Sequence, residues 1–474
     1  MQVFGDDLDD AVIGRVASTS ARLVRMPIQW PYIEPVDASP PVYAWSGLDG
    51  VVARLSRAGL VPLAVLYGRP PWAATTACGP VDKVPLARYA AYVGALVERY
   101  DGDGHLDAPA AATIRHWEIE NEPDFDRSHA GGANDHGSCF GGAAADYGRL
   151  LRAAYLAAKA ADPGATVYFG GVAYERFHNK AGYSPTGPFD HAFTGDTLAW
   201  LHANHGDEAG WPFFDRAAVH VYNDYRNNWD GVGTYRQELR AKLAHFRAHQ
   251  LFVEGAFDLR GVPIAITEAS IPSLPGDAYT ARSEALQAAY PGQLVARAMA
   301  ERVPVVAWFI AEDRFAGPCG SPYDWITVGL LRSRAVFEAA RACGEDNPIP
   351  SYHVADDHEP KPAYAAFTVA QAQLGGTIFD TALDAARTGS GQIEAYRVYA
   401  PGAGYRIVAF TDNGERLGRV GSPPITRLMA ASAALLPDWT GAVRVTDHLG
   451  RVSMHTGSVV PIVVGQEPVY IEAD

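Results

Sequence analysis

The chain has 474 residues, more than one compact domain usually holds, and that length suits a large barrel with a smaller module. A formal net charge of −15 argues against a nucleic acid or an anionic membrane surface as partner, because both demand a basic footprint; it fits a neutral substrate. The apolar fraction of 48% supports a sizeable core, yet no run of about 18 apolar residues is present to span a bilayer.

The opening segment MQVFGDDLDD is acidic and lacks the basic-then-apolar pattern of a secretory leader. That leaves two settings open: an intracellular protein, or an exported one whose leader has been removed. Residues 2–4 are read as a short first strand, followed by a helix over 8–17. Beyond them, short β-branched or apolar runs lie at 22–28, 61–67, 114–120, 166–172, 217–222, 262–268 and 303–310. Ala-rich stretches of helical period alternate with them at 48–58, 86–100, 143–161, 189–205, 235–250 and 281–299. This alternation defines a parallel sheet with crossover helices, and the short first segment brings the strands to the eight of a (β/α)8 TIM barrel. A helix over 362–374 closes the barrel after a long irregular stretch from 311 to 361.

From residue 375 the pattern changes. Short strands at 393–399, 405–411, 442–446 and 459–464, with turn signals Pro401-Gly402 and Asn413-Gly414 between them, predict a C-terminal all-β sandwich. The expected division is a barrel over 1–374 and a sandwich over 375–474. The cysteines, Cys78, Cys139, Cys319 and Cys343, lack CxxC spacing and form no zinc pattern. Cys319 and Cys343 share the segment after the last barrel strand, and Cys78 and Cys139 lie on neighbouring loops. Bridging is expected within each pair, with reduced thiols as the alternative.

In a barrel of this kind the functional residues sit at the C-terminal ends of the strands. Arg25 and Trp30 belong to the end of the second strand, Tyr67 to the third, Asn121 and Glu122 to the fourth. His220 and Tyr222 lie on the sixth, Glu268 ends the seventh, and Trp308 lies on the eighth. Glu122 and Glu268 thus end two different strands and face each other across the mouth. Paired carboxylates about 5–5.5 Å apart are what double displacement at a sugar carbon requires.

The run Trp117-Glu118-Ile119-Glu120-Asn121-Glu122-Pro123 resembles the strand-four motif of the large retaining clan of glycoside hydrolases, clan A, that includes families 5, 30, 39 and 51. Ile264-Ala265-Ile266-Thr267-Glu268-Ala269 looks like its strand-seven nucleophile segment, and Val219-His220-Val221-Tyr222 resembles its strand-six segment. Arg25 with Trp30 fits the strand-two pattern, and the tail Pro468-Val469-Tyr470-Ile471-Glu472 resembles the end of a sandwich attached to such barrels. The likeness covers roughly residues 20–375, and family 39 is nearest in layout. It implies that Glu122 protonates the leaving oxygen and later deprotonates water, while Glu268 attacks the anomeric carbon. It implies further that Tyr222 and Arg25 donate to Glu268, and that Asn121 binds the sugar 2-hydroxyl. His220, Tyr67, Trp72 and Trp308 would contact the oligosaccharide, polysaccharide or glycoside, with Trp308 as a stacking platform. No cofactor and no metal is implied.

Other acidic residues have plainer readings. Glu118 and Glu120 are expected to point away from the site, Glu120 pairing within the barrel. Asp124, Asp126, Asn134 and Asp135 lack the spacing of a calcium loop and read as a solvated surface. Glu312 and Asp313 follow the eighth strand and are candidates for hydroxyl contacts. Two other classes compete: a barrel that binds sugar without cleaving it, and a metal-dependent barrel enzyme on a non-sugar substrate. Both carboxylates argue against the first, and the lack of a His and Asp cluster at the strand ends argues against the second.

Overall fold

Parallel strands covered on both faces need apolar residues at nearly every position, and the barrel runs supply them. The computed structural model describes residues 1–3, 8–109, 112–125, 140–173, 190, 192–222, 235–273, 284–314, 319, 326–350, 352–411 and 425–474. They form two compact units. The first comprises Met1–Ala17, Arg22–Val221 and Lys242–Ala269; the second comprises Ser18–Ala21, Tyr222–Ala241 and Ser270–Asp474.

In the first unit six strands pair in parallel in chain order: β1 (Leu23–Gln29), β2 (Val61–Tyr67), β3 (His116–Asn121), β4 (Thr166–Val172), β5 (Arg216–Val221) and β6 (Ile264–Ala269). Helix α1 (Asp10–Ser18) precedes β1, while α2 (Ser46–Arg57), α3 (Ala87–Arg99), α4 (Ala144–Ala161), α5 (Phe193–His205) and α6 (Tyr235–His249), the last divided between the two units, lie between successive strands in sequence. Asp9 starts α1 by accepting the Val12 N–H on its carboxylate at 2.7 Å, and Val12, Ile13 and Val16 form its buried face. The expected first strand is reduced to a single parallel bridge between Gln2 and Arg25. Hydrogen bonds from Val3 N to Arg25 O and from Arg25 N to Met1 O flank it, while Phe4 lies outside the described residues.

The second unit carries α7 (Glu284–Ala300), β7 (Val305–Trp308), α8 (Arg334–Ala342) and α9 (Pro362–Leu374), then eight antiparallel strands. These are β8 (Ile378–Leu383), β9 (Ile393–Ala400), β10 (Gly404–Thr411), β11 (Arg427–Ser432), β12 (Ala442–Asp447), β13 (Val452–Thr456), β14 (Val459–Val464) and β15 (Val469–Ala473). A six-stranded sheet in the order β8-β9-β10-β15-β12-β13 and the pair β11-β14 enclose one core, with Ile407, Met429, Val443, Ile462 and Ile471 among its members. This is the sandwich the sequence predicts. Helix α8 occupies part of the stretch read as irregular, and Val336 and Ala340 pack there with Ile326, Ile349, Tyr352 and Val354.

Helix α7 lies close on the larger sheet. A Cβ at Gly292 would stand 2.4 Å from the Tyr470 hydroxyl, so only glycine permits that approach. Arg297 from the same helix forms a buried two-pronged pair with Glu394 at 3.0 and 2.9 Å. Cys319 and Cys343 are bridged, with Cα atoms 5.4 Å apart, whereas Cys139 lies outside the described residues. Among those residues no helix is long and apolar enough to cross a membrane.

Removing one partner of a buried ion pair strands the other charge. Glu394→Ala should therefore cost about 3 kcal/mol in urea unfolding, and Arg297→Met with Glu394→Leu should recover most of that loss. An equal loss in the double variant would show that sheet packing, not the pair, is what the single substitution damages.

Candidate active site

Arg25 organises the site. Its guanidinium is 1% exposed and carries five N–H donors, so it must find acceptors inside the protein. Nε donates to Glu118 Oε2 at 2.7 Å, and Nη2 donates to Glu118 Oε1 at 3.1 Å and to Asn121 Oδ1 at 2.7 Å. Nη1 donates to Gln2 Oε1 at 2.8 Å and to Glu268 Oε1 at 2.5 Å. Glu118 also accepts from Gly171 N at 2.9 Å and Thr267 Oγ1 at 3.1 Å, so this fully buried carboxylate is satisfied on both oxygens. Strands β1, β3, β4 and β6 thereby meet at one charge cluster.

Three groups face each other next to it. His220 Nδ1 lies 2.8 Å from Glu122 Oε1 and 3.5 Å from Glu268 Oε2. A nitrogen of His220 and one carboxylate oxygen each from Glu122 and Glu268 all lie within 4.8 Å of one another. Such a set is close enough to share a cation, although Arg25 already supplies positive charge to Glu268. Burial holds the His220 imidazolium down to a pKa of about 4; Glu268 opposes that shift and Arg25 adds to it, so the ring is neutral at pH 7. Lys242, also buried, donates through Nζ to the main-chain oxygens of Ala173 at 2.7 Å and of His220. Gly171 makes room: a Cβ there would sit 2.3 Å from His220 Nε2, 2.6 Å from Thr267 Oγ1 and 2.8 Å from Glu118 Oε1.

The expected residues fall into two groups. Asn121, Glu122, His220 and Glu268 come together on Arg25 or beside it. Tyr67 is half-buried at the end of β2, opposite Gln29. Half-buried Trp72 is fixed by a 3.1 Å bond from Nε1 to Glu34 O, with the Arg88 guanidinium 4.9 Å over its ring. Trp30 is a correction. Its side chain enters the aromatic layer of α3, stacked 5.3 Å from Tyr92, with Nε1 bonded to Glu34 Oε2, and it presents no face to a sugar. Trp308 is another: it packs towards Tyr290 and Phe367 of α7 and α9, donates to Val328 O at 3.1 Å and is buried, not a platform.

Half-buried Phe309, the next residue, instead meets Tyr222 edge-on at 6.0 Å. Alternation of side chains about Trp308 was the signal that could have pointed to it.

Among the acids, Glu118 does not point away but binds Arg25, whereas Glu120 forms a buried ion pair with Arg69 at 2.7 Å. Asp124 is buried and accepts from Ala173 N at 3.0 Å, so it is not a solvated loop residue; Asp126, Asn134 and Asp135 lie outside the described residues. Asp313 is enclosed by Lys361 Nζ at 2.7 Å and the Tyr352 hydroxyl at 2.8 Å, and Glu312 is held by His358 Nδ1 at 2.7 Å. Gln2, Glu118, Gly171 and Lys242 are the contributors that sequence reasoning missed.

A curled parallel β/α sheet of barrel type followed by an antiparallel sandwich is a fold that this chain shares with solved glycoside hydrolases. No protein-family model matches the chain, and no curated protein matches it in sequence. Among solved structures it is similar to a family 39 glycoside hydrolase from Bacteroides cellulosilyticus WH2 (TM-score 0.64, 16% identity, covering 100% of this chain and 80% of that one). It is also similar to a monomeric β-xylosidase from Caulobacter crescentus CB15 (TM-score 0.61, 15% identity, 99% and 94% covered). The catalytic domain of a family 30 xylanase C from Talaromyces cellulolyticus follows (TM-score 0.57, 12% identity, 97% and 90% covered). At these identities the likeness is one of fold.

Two stability measurements probe this arrangement. His220 stays neutral in the fold while the unfolded ring takes a proton, so its contribution is complete above pH 6.5 and is lost as pH falls towards 4. The loss should be on the order of 3 kcal/mol in urea midpoints converted to free energy, and His220→Asn should flatten that slope. An unchanged slope would mean the ring gains its proton in the fold. Gly171→Ala should destabilise by about 1–3 kcal/mol through overpacking. Gly50→Ala in α2, where a Cβ would meet nothing within 4 Å, should stabilise slightly.

Proposed function

We propose that this protein is a retaining glycoside hydrolase acting by double displacement on an oligosaccharide, polysaccharide or simple glycoside. The observation that carries this reading is the pair Glu122 and Glu268, on the ends of β3 and β6, with carboxylate oxygens within 4.8 Å. Inverting enzymes keep the carboxyl groups about 6.5–9.5 Å apart to admit a water between them, so this spacing favours the nucleophilic route. The glycoside hydrolases of like fold support the carbohydrate substrate.

In this reading Glu268 is the nucleophile. The guanidinium of Arg25 donates to its Oε1, and its Oε2 lies towards His220. Glu122 is the acid, then the base. A neutral imidazole suits that alternation, because Nδ1 accepts when Glu122 carries the proton and donates when it does not. Asn121 is held by Arg25 Nη2, which orients its amide for the hydroxyl next to the anomeric carbon.

Four measurements test this reading. NMR of the first-formed sugar from an aryl glycoside should show net retention, and an inverted product would remove Glu268 from the nucleophile role. Glu122→Ala and Glu268→Ala should each lose at least about 100-fold in turnover of an unactivated glycoside. With azide and an activated substrate, Glu122→Ala should give the glycosyl azide of retained configuration and Glu268→Ala the inverted one; the reverse pattern would exchange the two roles. Full activity in the presence of a chelator separates this mechanism from one run by a cation at Glu122, His220 and Glu268.

A further inference from the structure

The ladder between β3 and β4 is spliced at one point by a side chain. Ile119 pairs with Phe169 and Asn121 with Gly171, and between these rungs the hydroxyl of Tyr147 reaches in from α4. It donates to Ile119 O at 2.8 Å and accepts from Gly170 N at 2.8 Å, so it takes the place of a main-chain bond. Glycine at 170 is required, since a Cβ would lie 2.4 Å from Ile119 O and 2.8 Å from Glu120 O.

The splice coincides with a break in strand geometry. Glu120 has φ +70 and Glu122 φ +46, left-handed values that a glutamate adopts only when its surroundings hold it there. Period-two alternation would place Glu118, Glu120 and Glu122 on one face and crowd three carboxylates against Arg25. Instead Glu120 is turned into the helix layer, 2.7 Å from Arg69, whose guanidinium lies 5.5 Å from the Tyr89 ring and 6.0 Å from that of Phe140. Both partners are buried. The chain then returns to the ladder through Glu122 N, which donates to Gly171 O at 3.0 Å, and the Glu122 side chain meets His220.

We propose that Tyr147 and the Arg69–Glu120 pair are positioning residues for Glu122, together latching β3 in the conformation that aims its carboxyl at the leaving oxygen. This rests on Glu122 being the acid/base. Tyr147, Arg69 and Glu120 are all buried, so their effect on the reaction passes through Glu122.

The test uses the full chain with Tyr147→Phe, which keeps the ring and removes the splice. For glycosides whose leaving group needs a proton, kcat/KM should fall at least about tenfold, as expected when one partner of a buried hydrogen bond is lost. For dinitrophenyl glycosides, which leave unprotonated, it should stay within about twofold, so the dependence on leaving-group basicity steepens. Amide exchange at Glu122 should quicken by about tenfold as its bond to Gly171 loosens. Arg69→Lys, which keeps the charge but not the fork, should give the same selective loss at smaller size, and it decides the matter if Tyr147→Phe does not fold. A loss equal for all leaving groups, or no change, would overturn the proposal. If Glu122→Ala costs nothing, the functional reading fails by itself, and exchange at Glu122 alone then judges the latch: unchanged exchange overturns it.

Discussion

A single buried guanidinium holds the functional end of the barrel together. Arg25 offers five donors and meets acceptors from Gln2, Glu118, Asn121 and Glu268, which belong to three separate stretches of chain. A charge in that position is costly unless every donor is used, and an isolated carboxylate would be as costly. The cation and its two carboxylates therefore stabilise each other only when β1, β3 and β6 are assembled in register.

Around this cluster the protein separates its ionisable groups by burial. The imidazole of His220 is kept neutral, so it neither neutralises Glu268 nor competes with Arg25 for it. The side chain of Glu122 is 13% exposed against 7% for Glu268, so it has the readier route to solvent. Glycines at 170 and 171 let β4 pass close enough for Glu118, Thr267 and the Tyr147 hydroxyl to complete their bonds. Each of these features depends on the others, since a buried polar network is favourable only when all its members are satisfied.

The elements were readable because apolar runs and helical periods are local properties. The strand runs agree with the structure within a few residues, as do helices at 362–374 and 144–161. The place of Glu122 and Glu268 at strand ends was readable because each ends such a run. Trp30 and Trp308 were misplaced for a related reason: a strand end fixes where a residue lies along the barrel, not whether it turns to the mouth or to the helices. Both indoles turned to the helix layer, where Tyr92, Tyr290 and Phe367 offered larger apolar contacts. Helix α8 escaped notice because it is nine residues long and sits among turn-forming residues.

The order of strands and helices, the sandwich that follows, and two glutamates on two strand ends all follow from patterns within short windows of the chain. The pairing of Cys319 with Cys343 did too, since both lie in one segment. The fate of Glu118 and Glu120 did not. Two residues apart on one strand, they were indistinguishable by period, and a left-handed turn at Glu120 sent one to Arg69 and the other to Arg25. Tyr147 from α4 and Arg69 from the loop after β2 bond to that stretch. Contacts between segments this far apart arise when the strands and helices assemble, and no local pattern records them.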